Sequence, residues 1–400
     1  MKFTKQFYII AFIESLAITG LQRGIYLLGK YKYQFPTENI VWLTLCFGVF
    51  YVIASFSAQK ITDRIGEKKT LVAALFLQLP LIFSCLFCYS FTSYLIVLGM
   101  IGFLNGIKWP IVQSYISAGK SPGNTAKAVN IFNLCWSTGV PIGVMLAGEL
   151  SAIMFLHQEG SLVYLIPCAI IIISLFCALL APSKPNHLNT DHPARPTAAT
   201  LKKLSNLLNA HRTSMFGCYA AMMVFVALLP GIFKNLGVSQ EYNSVYTSSM
   251  DWVRLAVFIF LGAYTGWHGK SWPIYVSILL MPISFFVAIS ATTIQLVILC
   301  EVIFGLTMGL SYVGSLYYAQ LIKNAAVDAG GKHEGLIGLS AAIGPGLCLI
   351  GSGFTSSLGS VFLGQLATLL PLFLLTGFIS VKFSRRADSV PLPTNKAYES

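Results

Sequence analysis

Residues 40–90 read IVWLTLCFGVFYVIASFSAQ (40–59), KITDRIGEKKT (60–70) and LVAALFLQLPLIFSCLFCYS (71–90). Two apolar runs of twenty residues flank a turn that carries Lys60, Asp63, Arg64, Glu67, Lys68 and Lys69. Twenty residues of α-helix rise about 30 Å, the thickness of the hydrocarbon core of a bilayer. Backbone N–H and C=O groups find no water there, so each run has to satisfy its own hydrogen bonds as a helix. A membrane β-barrel would show short alternating segments instead. The stretch therefore reads as a helical hairpin that crosses a membrane twice.

The same pattern extends in both directions. Apolar runs fall at about 6–29, 40–59, 71–90, 94–118, 127–151, 161–181, 213–233, 246–265, 271–290, 292–320, 335–358 and 361–381, which predicts an all-α integral membrane protein with twelve spans. Composition agrees: 56% of the 400 residues are hydrophobic and 10% charged, and mean hydropathy is +0.73. Soluble domains carry about 25% charged residues. The first run has no small-residue cleavage site and reads as a retained helix. All nine Cys lie within spans. Cys85 and Cys88 form a CxxC without a second pair, so packing is the expected role and no metal site is expected.

The net charge of +12 would suit a nucleic-acid partner, but its placement does not. With both termini on one side, twenty of the twenty-six Lys and Arg fall in that side's loops and tails, and Lys30, Lys32 and Lys234 fall on the other. This asymmetry predicts a multi-pass protein of the cell inner membrane with both termini cytoplasmic. The expected partners are lipid and a small-molecule substrate, with no nucleic acid and a monomeric chain.

The chain also repeats. At an offset of 203, Thr62/Thr265, Gly66/Gly269, Gly106/Gly309, Tyr115/Tyr318, Gly143/Gly346 and Gly148/Gly351 are identical, and Trp109 aligns with Tyr312. Two pseudo-symmetric six-helix bundles follow, at 1–181 and 212–383. Between them, 182–211 reads as a cytoplasmic linker. Its Pro182, Pro185, Asn186, Asn189, Asp191 and Pro193 precede an amphipathic LKKLSNLL at 201–208, expected to be a short helix on the membrane surface. Residues 384–400 read as a cytoplasmic tail.

The turn at 59–71, QKITDRIGEKKTL, resembles the signature loop of the major facilitator superfamily, roughly G-x-L-x-D-R-x-G-R-K/R. Asp63, Arg64, Gly66 and Lys68 match; Gln59 and Glu67 depart from the pattern. The second-half copy around Gly262, Gly266 and Gly269 keeps glycines but has lost the acid. The resemblance covers essentially the whole chain and implies a secondary transporter with spans 1, 4, 7 and 10 around a central cavity and 3, 6, 9 and 12 facing lipid. It implies that Asp63 and Arg64 form a latch near Glu334 and Gly335 when the inner side is closed. In span 5, Gly139, Pro141 and Gly143 look like an efflux motif interrupted by Val140; generic close packing is the alternative.

Charges buried in lipid are costly and call for a reason. Spans 3, 6, 9 and 12 have no Asp, Glu, Lys or Arg, whereas Glu14 and Arg23 lie in span 1, Lys108 in span 4, Glu149 at the outer end of span 5, Asp251 and Arg254 in span 8 and Glu301 in span 10. Matching depths predict two pairs, Glu14–Lys108 and Arg254–Glu301, with Asp251 able to share Arg254. Arg23, near the outer end, is expected to snorkel. Helical spacing puts Asn105, Lys108 and Tyr115 on one stripe of span 4, with Trp109 and Gln113 beside it, and Glu301, Met308, Tyr312 and Ser315 on one stripe of span 10. These residues are the candidate substrate or coupling site, with structural salt bridges as the alternative. Glu14 is the candidate for proton coupling, because an acid in a low-dielectric site can titrate in the working range. Asn130, Asn133 and Trp136 are weaker candidates, and His333–Glu334 is a gate or an interface pair.

The expected function is alternating-access transport of a small polar or charged organic solute, driven by H⁺, with no cofactor. Drug/H⁺ efflux is one alternative and a non-transporting sensor another. No H-x-x-E-H, G-x-S-x-G or P-loop pattern is present, so no enzyme activity is expected.

Overall fold

The computed structural model describes residues 4–120, 122–157, 161–185, 198–322, 326–354 and 360–390. The linker residues Asn186, Asn189, Asp191 and Pro193 and the tail beyond 390 lie outside the described residues. Spans 1 to 7 are α1 (Thr4–Tyr31), α2 (Thr37–Ile65), α3 (Glu67–Ser84), α4 (Phe91–Ser117), α5 (Pro122–His157), α6 (Leu162–Leu179) and α7 (Ala198–Asn235). Span 8 is broken at Ser248 into α8 (Gln240–Thr247) and α9 (Ser249–Ala263). Spans 9 to 12 are α10 (Trp272–Ile289), α11 (Ile294–Ile322), α12 (Val327–Gly353) and α13 (Val361–Asp388). Ten of these helices are long and apolar enough to cross a membrane. The polar residues Glu14, Gln22 and Arg23 dilute α1, and the break shortens span 8.

One difference concerns residues 201–208. They are not a separate surface helix but the first turns of α7, and Leu204, Leu207 and Leu208 are buried. The apolar stripe that suggested a membrane surface instead faces protein. Lys203 donates to the Val390 carbonyl at 3.1 Å.

The internal repeat is visible in the packing. In the first half α1 packs on α5 and α6, α2 on α4, and α3 on α4 and α6; in the second α7 packs on α12 and α13, α9 on α11, and α10 on α11 and α13. The register repeats as well. A Cβ at Gly102 would lie 2.5 Å from the Phe47 carbonyl oxygen, and one at Gly305 would lie 2.3 Å from that of Met250. Both contacts keep the offset of 203, and small residues are what allow such backbone approach. The turn glycines Gly66 and Gly269, also in register, have φ of 90° and 70°, a region that favours glycine.

The halves meet along α2 and α12, along α5 with α8 and α9, and where α4 touches α12. At the first seam a Cβ on Gly48 would come within 2.5 Å of the Ala341 backbone. The peripheral helices are less covered, with 33% of the apolar window of α6 and 28% of that of α13 buried, against 72% for α4 and 78% for α7. Residues such as Phe176, Leu374 and Phe378 form their exposed apolar faces. Below, the basic end is the one with the 60–69 turn and His268–Lys270; the far end carries the Tyr31–Thr37 turn.

Candidate functional site

A cavity of about 200 Å³ lies between the two halves. Its first-half wall includes Ser15, Thr19, Gln22, Arg23, Trp109 and Trp136; its second-half wall includes Tyr219, Met222, Asp251, Arg254, Tyr312 and Glu334. The chemistry is mixed: two guanidinium groups, two carboxyl groups and several aromatic faces.

Arg254 is held by Asp251 at 2.7 Å, one turn before it on α9, and its guanidinium stacks over the Trp136 ring at 4.6 Å. The pair is almost wholly buried, and Arg254 Nε and Asp251 Oδ2 have no hydrogen-bond partner among the described residues. The expected Arg254–Glu301 pair is absent there. Glu301 instead accepts from the Ser249 hydroxyl, because Asp251 is the nearer acid, three residues away on the same helix. Arg23 does not snorkel: it is 9% exposed, donates to the Val226 carbonyl at 3.2 Å and lines the cavity. The opposite half covers it before it can reach the lipid surface.

Glu14 and Lys108 do form the expected ion pair, both fully buried. Gln78 of α3 closes a ring, donating to Glu14 at 3.1 Å and accepting from Lys108 at 3.0 Å. This ring sits inside the first half, between α1, α3 and α4, and does not line the central cavity. Lys108 and Trp109 are one residue apart, so they point about 100° apart on a helix. The Trp109 side of α4 faces the cavity and the Lys108 side faces α1 and α3. Asn105 bonds to its own helix at the Ile101 carbonyl, 2.8 Å away. Glu14, Asn105, Lys108, Gln113 and Glu301 are thus outside the cavity lining, while Arg23, Trp109, Arg254, Tyr312 and Glu334 are in it. Glu149 of α5 is exposed.

Below the cavity, Trp136, Phe258 and Tyr312 meet as three mutually touching rings, with centroids 5.0 to 5.8 Å apart. Beyond them a second cavity of about 410 Å³ is lined by Lys127, Asn130, Asn133, Thr265, His268 and Tyr317 among others. Asn133 lies one turn before Trp136 on α5 and accepts from its indole N–H at 3.1 Å. The Asn130 amide occupies the space a Cβ on Gly262 would need. His268, in the connection after α9, stacks on Tyr317 at 5.0 Å, and burial pushes its pKa down to about 4.

Contacts between the halves lie on both sides of the central cavity. At the far end Tyr31 donates to the Val238 carbonyl at 3.3 Å and Asn243 donates to Tyr31 at 3.1 Å. At the basic end the Asp328 N–H, in the first turn of α12, donates to Gln59 Oε1 at 2.8 Å. Asp63 accepts from Gln59 at 2.7 Å within α2. The expected latch of Asp63 and Arg64 on Glu334 is not formed. α12 begins at Val327, which places Glu334 seven residues, or about 10 Å, further in. Gln59, where the signature has glycine, makes the contact with the helix start. Lys68 lies half-buried in the first turn of α3.

Sequence reasoning missed Gln78, Tyr51 and the α7 wall of Tyr219, Met222 and Met223. Gln78 is a lone amide in an otherwise apolar span, a signal that was available. The α7 wall carries no charge and gave none.

A sequence profile described as the Major Facilitator Superfamily matches residues 7–347. No curated protein matches the chain in sequence. Among solved structures, the human organic anion transporter MFSD10 (TETRAN) superposes with a TM-score of 0.68 at 14% identity, covering 94% of this chain and 98% of that one. A bacterial homologue of the human lysosomal transporter Spinster, inward-facing and occupied, gives 0.67 at 16% identity, covering 98% and 97%. Its unoccupied form gives 0.66 at 15%, covering 98% of each chain. At these identities the likeness is one of fold.

Proposed function

Because the chain belongs to the major facilitator superfamily, we propose that it is a proton-coupled secondary transporter of a small polar or charged organic solute, working by alternating access. The carrying observation is the central cavity. It is built from both halves, sits between two layers of contacts, and offers Arg23 and Arg254 to an anionic group, Asp251 to a donor and Trp136 and Tyr312 to a flat apolar body. A solute bound there touches both halves, so rocking them exposes it to one side and then the other. The basic end faces the cytoplasm on this reading, in keeping with the positive-inside rule. The protein acts as a monomer in the cell inner membrane.

Drug/H⁺ efflux remains the second reading, favoured by the Trp109, Phe132, Met222 and Met223 part of the wall, which would accept a lipophilic body. A thermal-shift screen on purified protein separates the two. Organic anions and zwitterions should stabilise the wild type and lose that effect in Arg254→Met. Stabilisation by lipophilic cations, unchanged in Arg254→Met, supports efflux.

A further inference from the structure

We propose that Glu334 is the proton-binding clasp of the transport cycle: ionised, it ties α12 to α2 and α4 and shuts the cavity toward the basic end; protonated, it lets that end open. The inference rests on the transport reading above.

Among the described residues, both hydrogen-bond partners of Glu334 come from the other half of the molecule. Tyr51 of α2 donates to Oε2 at 2.5 Å and the Gln113 amide of α4 donates to Oε1. The carboxyl group lines the cavity yet is 4% exposed. It therefore stands where a proton arriving with the solute can reach it and where its charge state bears on a contact between the halves.

The other buried acids differ on one point or the other. Glu14 is paired with Lys108 inside the first half. Asp251 is paired with Arg254. Glu301 bonds to Ser249 within the second half. None of the ion pairs among the described residues includes Glu334.

The chemistry of the clasp follows from its partners. A carboxylate offers acceptors only, and Tyr51 and Gln113 both present donors to it. A proton added to either oxygen meets a donor already pointing there. Either the Gln113 N–H turns away or the Tyr51 hydroxyl reverses to accept from the acid, and the bonds that survive are neutral and weaker. The seam that remains is made of close backbone contact at Gly330, Gly331 and Gly338, against Pro110, Ser55 and Val52. With it stand the bond from the Asp328 N–H to Gln59 and the Phe56 ring against Gly335; loss of the Glu334 charge weakens this seam and adds nothing to it. The ionisable groups facing Glu334 are Tyr51 on α2, Tyr219 on α7, Asp251 and Arg254 on α9 across the cavity, and Tyr312 on α11. Its neighbour His333 turns away to Ser315 at 3.0 Å, with Arg212 of α7 beyond it.

The test uses purified full-length protein, its native cysteines replaced, with spin labels at Lys60→Cys and Lys332→Cys and no solute added. Pulsed electron–electron resonance reads the distance across the basic end between about pH 9 and about pH 5, a range that buried carboxylates reach. A shift toward longer distances on acidification is expected. Glu334→Gln should sit at the long distance at every pH, and Glu14→Gln should keep the wild-type response. Tyr51→Phe, which keeps the acid but removes one donor, should move the transition up by about one to two pH units. A pH response that survives in Glu334→Gln, an unmoved midpoint in Tyr51→Phe, or no response in the wild type overturns the proposal. The expected response in a protein that accumulates no solute under a proton gradient would count against the transport reading and leave the clasp standing.

Discussion

Lys108→Met keeps the side-chain stem in place and removes only the ammonium that faces Glu14. Both partners are fully buried, so the carboxylate would be left with the Gln78 amide and no countercharge. Breaking a buried pair from one side costs about 3–5 kcal/mol. The loss has a ceiling, because the stranded acid can take up a proton instead. From an ordinary value near 4.3 that escape costs about 3.7 kcal/mol at pH 7 and about 1 kcal/mol at pH 5. The variant should therefore lose about 3–4 kcal/mol at neutral pH, or about 6–16 °C in Tm for a unit the size of one half, and recover most of it on acidification. Glu14→Gln strands the ammonium and should recover in the opposite direction, as pH rises. The double variant Glu14→Gln/Lys108→Met leaves no charge and should lose far less than the two single losses together. Thermal unfolding in detergent at several pH values measures all four proteins. Single losses below about 1 kcal/mol, or a double variant as damaged as the sum of its parts, would refute the buried ring.

The shared glycine register predicts matched damage: Gly102→Ala and Gly305→Ala, each pressed onto a carbonyl oxygen at 2.5 Å or less, should cost about 1–3 kcal/mol each in Tm-derived stability. Gln59→Ala removes the acceptor for the Asp328 N–H and should cost about 1 kcal/mol while raising thiol labelling of cysteines placed at the basic end. His268 is neutral when folded, with its pKa lowered by burial to about 4 against an ordinary 6.5. Its stabilising share is full above about pH 6.5 and is lost as pH falls toward 4; His268→Phe, which keeps the stack on Tyr317, should show a shallower loss in acid-unfolding curves.

Twelve spans, their pairing into two halves and the repeat at 203 were legible because lipid enforces long apolar runs and glycine marks close backbone contact. Glu14–Lys108 was legible because depth along a helix is countable. What failed was rotation about the helix axis. Lys108 and Trp109 differ by one position, and no count of depth tells which faces the cavity and which faces α1 and α3. Arg254 had two acids in reach, and local geometry chose Asp251 three residues away over Glu301 on another helix. The apolar run of span 11 starts at 335, and by that count Glu334 stands just outside it. α12 extends back to Val327 through Asp328 and Lys332, which pair with each other at 2.9 Å on its exposed face, and this buries Glu334 two turns deep. The cavity wall on α7 left no mark because Tyr219, Met222 and Met223 look like any other residues of an apolar helix.

Thr19 lines the cavity from α1, and its accessibility tests the account most directly. In vesicles of known orientation holding a Thr19→Cys variant without its native cysteines, a membrane-impermeant thiol reagent is applied from one face and then from the other. The account predicts labelling from both faces, each slowed by a solute that stabilises the protein. Labelling from a single face under every condition, or from neither, would contradict it.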